Sequence, residues 1–554
     1  MLQKNFKLAI AQISTDPGDI GSNTKKIIDY IKKAKRDGAK IVIFPELAIP
    51  GYMSLDLMLH KRFIEENLKA LNSIIKYTKD ILVIVGFIDQ DKDKIGPDGT
   101  PIRYNSAAVI HNKKLIAVQD KTLLPNYDVF FENRYFSTGR KREVIKFEGV
   151  NLGIEICEDL WDENYPIKVS EDLIKKGADL LINISGSPFY MGKIFDRQHL
   201  IKRVSGTYKV PFIYVNTVGS QDGYDGELVF DGQSMVFNKF GQLIRLGKEF
   251  EEELFFINLN SLLSEAKQEV TLPDDSIRQL YQALVLGIKD YFRRTNFKRA
   301  FIGVSGGVDS AVVCALTVEA LERDNVTAVM MPSKFTSRKS INDAKRLVSN
   351  LGIKMEIIPI NKLFDEFIRT LEDYFKNLPV DVTEENIQAR IRGMILMAHA
   401  NKFNGLVIST ANKTETALGY TTLYGDMCGA IAPLADVSKL RVYDLAKFIN
   451  EKEKIIPESI IKKIPSAELR ENQTDEDSLG ASYKVISPLV DQLIENMSTS
   501  KDLSKKYPGK IVKYISNLIN KNEYKRRQAA PAVKVTKKSF GIGRRIPIAH
   551  NFTN

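Results

Sequence analysis

The chain has 554 residues, 44% of them hydrophobic and 27% charged, which is more than one core organises and implies two to four folded domains rather than disorder. No eighteen apolar residues run together, which excludes a membrane-spanning helix. Three cysteines without a CxxC pair (Cys157, Cys314, Cys428) exclude a disulfide framework and give the expectation of a reducing cytoplasm.

The opening segment MLQKNFKLAIAQIST carries lysines before a short apolar run, but Gln12 interrupts it and no small-residue cleavage site follows, so it reads as a first strand. From residue 5 to about 257, apolar β-branched runs (KLAIAQI, IVIFPEL, ILVIVGFI, SAAVIH, NLGIEIC, DLLINIS, PFIYVNT) alternate with helical stretches such as KKIIDYIKKAKRDG. That alternation predicts a layered α/β domain over residues 1–260. The polar stretch that follows, with Pro273-Asp274-Asp275, reads as a linker over 261–275. Beyond it a helical segment, the strand RAFIGVS, the helix ALTVEALER and the strand VTAVMMP set the βαβ rhythm of a doubly wound parallel sheet, placed in a second domain over 276–554.

Two places carry chemistry. Cys157 ends the strand NLGIEIC, where a buried strand emerges into a turn. Glu46 stands in the same situation at the end of IVIFPEL, and Lys121 follows the strand KLIAVQ. A thiol at such a place suits a nucleophile or a buried structural cysteine, a carboxylate among apolar neighbours suits a general base, and the lysine could meet both. The second place is Ser305-Gly306-Gly307-Val308-Asp309-Ser310, between a buried strand and a helix. Its glycines permit a tight turn, its N–H groups form an anion cradle, and Asp309 offers an oxygen ligand to Mg²⁺. The scattered histidines show no HxxH or HExxH spacing, so any metal is expected to be oxygen-bound. The excess of 80 Lys and Arg over 69 Asp and Glu suits plain solubility or a phosphate-bearing ligand, with Lys525-Arg526-Arg527 and Arg544-Arg545 near the C-terminus.

The motifs FPEL, KTLLPNY with Glu132 beyond, and GIEICEDLW resemble the nitrilase superfamily, whose catalytic Glu, Lys and Cys stand in this order. SGGVDS resembles the loop of ATP pyrophosphatase-type synthetases, which cleave ATP to AMP and pyrophosphate. The further segments ENIQARIRG, STANKTETALGYTTLYGDM, PSAELRENQTDEDSLG and YKRRQAAP together resemble the glutamine-dependent NAD(+) synthetases along the chain. The resemblance implies a nitrilase-like α-β-β-α sandwich followed by an adenine nucleotide alpha hydrolase-like domain. It implies catalysis by Glu46, Lys121 and Cys157, and glutamine bound by Tyr127, Ser187 and Lys193. It further implies ATP at Gly303, Val304, Ser305, Gly306, Gly307, Val308, Asp309, Ser310 and Thr410, and deamido-NAD at Asn386, Glu415, Lys439 and Lys525. Mg²⁺ is expected on Asp309 and Glu415, with Asp426 a further candidate ligand. The implied partners are small molecules (glutamine, ATP, deamido-NAD), with no nucleic acid or membrane, in a homo-oligomer whose sites pass ammonia internally. Two alternatives stand beside this reading: another amidotransferase of the same loop family acting on a different carboxylate or nucleotide, and a basic RNA-binding protein, against which the absence of RRM-like or KH-type motifs counts.

Overall fold

The structure is a computed structural model that describes residues 6–96, 99–541 and 543–552; the opening residues Met1 to Asn5, including Lys4, lie outside them. The chain divides into two compact units, one of residues 1–223 and 228–274 and the other of residues 224–227 and 275–554.

The first unit is built on strands β1 (Lys7–Gln12), β2 (Ala39–Ile43), β3 (Leu82–Ile95), β4 (Pro101–His111), β5 (Lys114–Asp120), β6 (Val144–Phe147), β7 (Val150–Ile156), β8 (Leu180–Ser185) and β9 (Phe212–Asn216). The short β10 (Val218–Asp222) and β11 (Gly226–Asp231) follow, then β12 (Met235–Phe237), β13 (Leu243–Leu246) and β14 (Glu253–Asn258). Two six-stranded sheets result, ordered β14-β1-β2-β3-β4-β5 and β13-β12-β9-β8-β7-β6. Each has three parallel strands at its centre and antiparallel neighbours outside them. The period-two alternation of the strands explains the packing. Ile41, Ile43, Leu82 and Ile84 of one sheet meet Leu152, Ile154, Ile182 and Ile184 of the other in a single buried cluster. The opposite faces are covered by helices: Val42, Val83 and Val85 pack under Ile27, Ile31, Leu71 and Ile74, while Leu181, Phe212 and Tyr214 pack under Leu200, Ile201 and Val204. This is an α-β-β-α sandwich. Residues 261–275 are not a free linker over their whole length: Leu262 is buried in the inter-sheet core and the Val270 N–H donates to the Leu243 carbonyl, because the two residues supply apolar surface and an edge donor that the polar composition around them masks.

The second unit holds an all-parallel sheet of β15 (Arg299–Gly303), β16 (Val326–Met330), β17 (Lys354–Ile357) and β18 (Gly405–Ile408), in the order β17-β16-β15-β18. The strand order reverses beside β15, and the carboxyl end of such a switch point is where open α/β sheets bind ligands. The helix Val308–Leu321 follows β15 and is buried along most of its length. Val382–Phe403 covers the other face through Ile387, Ile391, Leu396 and Ala400. A separate helical core farther along joins Ala417 and Leu418 to Ile486, Leu489, Val512 and Ile515.

Candidate active sites

In the first unit, Glu46 lies three residues after β2, Lys121 directly follows the edge strand β5, and Cys157 directly follows β7. Lys121 is fully buried and its Nζ donates to Glu46 Oε1 at 2.8 Å and to Glu132 Oε1 at 2.7 Å. Glu46 is further held by the Asn105 amide (2.7 Å) and by the Gly186 N–H, which donates to Oε2 at 2.7 Å. Only glycine fits at 186, since a Cβ there would come within 2.6 Å of the Tyr52 ring. The Tyr52 hydroxyl donates to Glu132 at 3.1 Å.

Burial works against the Lys121 charge, but Glu132 and Glu46 outweigh it and keep the ammonium protonated well above its usual range. Burial pushes the Glu132 carboxyl up to about 7; Lys121 opposes the shift and Glu46 adds to it. Cys157 has a left-handed backbone (φ +45°) and its side chain is part of the buried core. Burial, and then Glu46, raise its thiol well above the usual range, with Lys121 pulling the other way. Cys157 therefore rests as a thiol, and would need a base beside it to act as a nucleophile.

Asp159 ties these segments together and was not legible in the sequence. Its carboxylate accepts the N–H groups of Ile156 (3.0 Å), Thr122 (3.0 Å) and Leu123 (2.8 Å), clamping the end of β7 to the residues just after Lys121. Of the three expected glutamine ligands, Tyr127 donates its hydroxyl to Glu158 at 2.9 Å, and Glu158 also accepts from Tyr165 at 3.0 Å. Ser187 is buried against Arg197, whose guanidinium donates to the Ser187 carbonyl at 2.7 Å and is itself paired with Asp231 at 2.8 Å. The Lys193 ammonium lies 3.6 Å over the Trp161 ring, with no carboxylate at ion-pair distance among the described residues. Burial, reinforced by the Arg197 charge, lowers Lys193 to about 7.

In the second unit, Gly303 to Ser305 and Gly307 to Ser310 line a cavity of ≈ 270 Å³, together with Thr410, Glu415, Asp426 and Lys439. Gly306 adopts φ +75° and its α-carbon faces the Ser340 carbonyl, which a Cβ would approach to 2.4 Å, so this turn requires glycine. The Ser305 hydroxyl accepts the Gly307 N–H at 3.2 Å, fixing the loop. Asp309 Oδ2 and Glu415 Oε1 converge on the Lys439 ammonium, at 2.5 and 3.1 Å, and the Asn412 amide donates to Asp309 Oδ1 at 2.9 Å. Burial raises Glu415 to about 8 against the pull of Lys439. Two carboxylate oxygens meeting around one cation suit a hard metal that takes the rest of its ligands from phosphate and water, so Asp309 and Glu415 fit Mg²⁺. No cluster of three or more His, Cys, Asp or Glu able to hold a metal exists among the described residues.

The other expected ligands divide. Asn386 accepts the Thr422 hydroxyl at 2.7 Å, and Lys525 donates to the carbonyls of Gly419 and Thr421, each at 2.7 Å. Neither is among the residues that line this cavity. Asp426 does line it, accepts the Thr422 N–H at 2.6 Å and is pushed by burial up to about 6. Arg392, missed in the sequence, also lines the cavity. Its Nε donates to the Met331 carbonyl at 3.0 Å, and no carboxylate pairs with it among the described residues. The signal available was its place in ENIQARIRG, two residues after Arg390.

Known proteins match the same division. A carbon-nitrogen hydrolase family model matches residues 7–268, and an NAD synthase family model matches residues 280–529. An amide-cleaving module thus precedes a synthase module in one chain. The chain is 39% identical to the glutamine-dependent NAD(+) synthetase of Thermotoga maritima and 39% identical to that of Synechocystis, over 99% of this chain and 99% of each relative. The solved structure of the glutamine-dependent NAD(+) synthetase of Acinetobacter baumannii, in complex with ADP, superposes with a TM-score of 0.77 at 35% identity, over 98% of both chains. The chain belongs to the glutamine-dependent NAD(+) synthetase family. Among the described residues no helix is long and apolar enough to cross a membrane.

Proposed function

We propose that the first unit cleaves the side-chain amide of glutamine and that the second uses the ammonia to convert deamido-NAD(+) to NAD(+) at the expense of ATP. The observation that carries this reading is the buried constellation of Glu46, Lys121 and Cys157, with the Lys121 ammonium fixed on Glu46. The Cys157 sulfur attacks the amide carbonyl while Glu46 takes the thiol proton. Lys121, charged and already fixed by two carboxylates, faces the oxyanion that develops. Glu46 returns the proton to the departing ammonia, and a water then hydrolyses the thioester to glutamate. Glu132, by neutralising Lys121 from its other side, holds the ammonium in place.

In the second unit the loop from Gly303 to Ser310 would bind the phosphates of ATP with Thr410 beside the adenylate, and Arg392 would meet a further phosphate. The nicotinate carboxylate attacks the α-phosphorus, pyrophosphate leaves, and ammonia displaces AMP from the acyl adenylate. Asp309 and Glu415 would hold Mg²⁺, which neutralises phosphate charge when bound. Glu415, Lys439 and Asp426 face the same cavity and would contact the nucleotides, while Asn386 and Lys525 would act beside them through residues 419–422.

Mass spectrometry of a reaction containing deamido-NAD(+), ATP, Mg²⁺ and glutamine is expected to find NAD(+), AMP, pyrophosphate and glutamate. Formation of ADP and phosphate would refute the acyl adenylate. Tyr127, Ser187 and Lys193 would hold the glutamine backbone, with Lys193 on its α-carboxylate. Because Lys193 is lowered to about 7, its ammonium form is lost as pH rises through neutrality. The KM for glutamine should therefore climb above pH 7, by up to about tenfold per unit. Lys193→Met should raise KM below pH 7 and flatten this limb; a variant that keeps the wild-type slope would remove Lys193 from the glutamine site.

A further inference from the structure

Asn412, which caps the helix Lys413–Leu418, and two residues of its first turn, Thr414 and Glu415, bond to the second site. Asn412 bonds Asp309, the Thr414 hydroxyl accepts the Lys439 N–H at 3.1 Å, and Glu415 accepts from the Lys439 ammonium. Lys413 turns the other way. Its side chain is fully buried, and its Nζ reaches Glu495 at 2.7 Å, the Thr536 hydroxyl at 3.0 Å, Asp436 at 3.3 Å and Asp491 at 3.9 Å. Asp436 in turn accepts the N–H groups of Val535 and Thr536, each at 2.8 Å, and lies 2.7 Å from the Thr536 hydroxyl. Asp436 is three residues before Lys439, and Thr536 lies beyond the 280–529 stretch that the NAD synthase family model matches.

We infer that residues 535–536 are a working part of the second site: by closing the Lys413–Asp436 pair, they fix the spacing between Glu415 and Lys439 around Asp309. Lys413 and Thr536 are positioning residues. The charge of Lys413 is too deeply buried to be held loosely, so the carboxylates and hydroxyl around it lock one geometry. Asp436 links both ends of the device, because the same carboxylate that faces Lys413 also fastens the C-terminal segment. Without Thr536 the segment loses its hydroxyl bond to Asp436 and Lys413 loses a ligand. Glu415 and Lys439 then lose their fixed separation, and affinity for the cation that Glu415 and Asp309 share falls before catalytic competence does. The inference rests on the function proposed above for this site.

The test uses the full chain carrying Thr536→Val, which keeps shape and drops the hydroxyl, with Thr536→Ser as the conservative rescue and Asp436→Asn as a second lesion of the same pair. Two readouts are taken: calorimetric titration of Mg²⁺ into protein with α,β-methylene-ATP, and the Mg²⁺ dependence of ammonium-supported synthesis. T536V and D436N should each raise the Mg²⁺ concentration at half-saturation on the order of tenfold, with kcat at saturating Mg²⁺ nearly retained and T536S restoring the wild-type curve. Unchanged Mg²⁺ binding in both variants, or a loss of kcat with unchanged Mg²⁺ dependence, would overturn the inference. Wild-type protein that binds no Mg²⁺ with the nucleotide would instead sink the assignment of the site itself.

Discussion

Cys157→Ala is expected to reduce glutamine-supported NAD(+) synthesis to background, a loss on the order of 10⁴-fold or more, the scale seen when a covalent nucleophile is removed. Ammonium-supported synthesis should remain close to that of the unaltered protein. The two outcomes separate because, in the proposed mechanism, the sulfur forms the bond to glutamine carbon, whereas the second site can receive its ammonia from any source. Alanine is well tolerated structurally. It keeps the β-carbon within the apolar cluster around Ile156 and Ile184, and its left-handed backbone at φ +45° is as costly for cysteine as for alanine. Side-by-side rates with the two nitrogen donors check the prediction, and equal loss with both would refute the division of labour between the units.

The second large effect concerns Asp309. Asp309→Asn keeps the size of the side chain and an oxygen for the Asn412 amide, but removes the charge that meets the Lys439 ammonium at 2.5 Å. On the function proposed above this carboxylate offers charge to both a lysine and a metal, and the amide loses both roles at once. Synthesis should fall on the order of 10²- to 10³-fold with glutamine and with ammonium alike. Glutamine cleavage at Cys157 depends on none of these groups and should persist when glutamate release is measured directly. Full synthesis by the variant at low Mg²⁺ would remove Asp309 from the metal site.

How much of this was legible in the sequence depends on the range over which each contact acts. Glu46, Lys121 and Cys157 stood out because each follows closely on an apolar run that forms a strand, and strand ends are where buried chemistry can reach a ligand. The loop around Gly306 was legible for a local reason too, since strand, glycines and helix follow one another within a few residues. Asp159, Asn105 and Gly186 were not, because each acts on a segment tens of residues away in sequence. The same holds for Lys413, which reads as one more helix lysine until Asp436 and Thr536 fold around it. Asn386 and Lys525 sit in motifs that resemblance marks, and their side chains bond to Thr422 and to the Gly419 and Thr421 carbonyls outside the lining of the cavity. Motif membership locates a residue near a site without saying which way its side chain points. Residues 261–275 looked like a linker because polar residues outnumber the apolar ones, but burial of Leu262 in the inter-sheet core is enough to fasten that stretch.

The central claim is that one chain carries the amide nitrogen of glutamine into the product through adenylation of its carboxylate. The most direct measurement supplies glutamine labelled with ¹⁵N in the side-chain amide, with deamido-NAD(+), ATP and Mg²⁺, and follows the mass of NAD(+) together with the amount of AMP. The account predicts NAD(+) heavier by one mass unit and formed in equal amount to AMP, both vanishing in Cys157→Ala until ammonium is added. Unlabelled NAD(+), or ADP appearing in place of AMP, would contradict it.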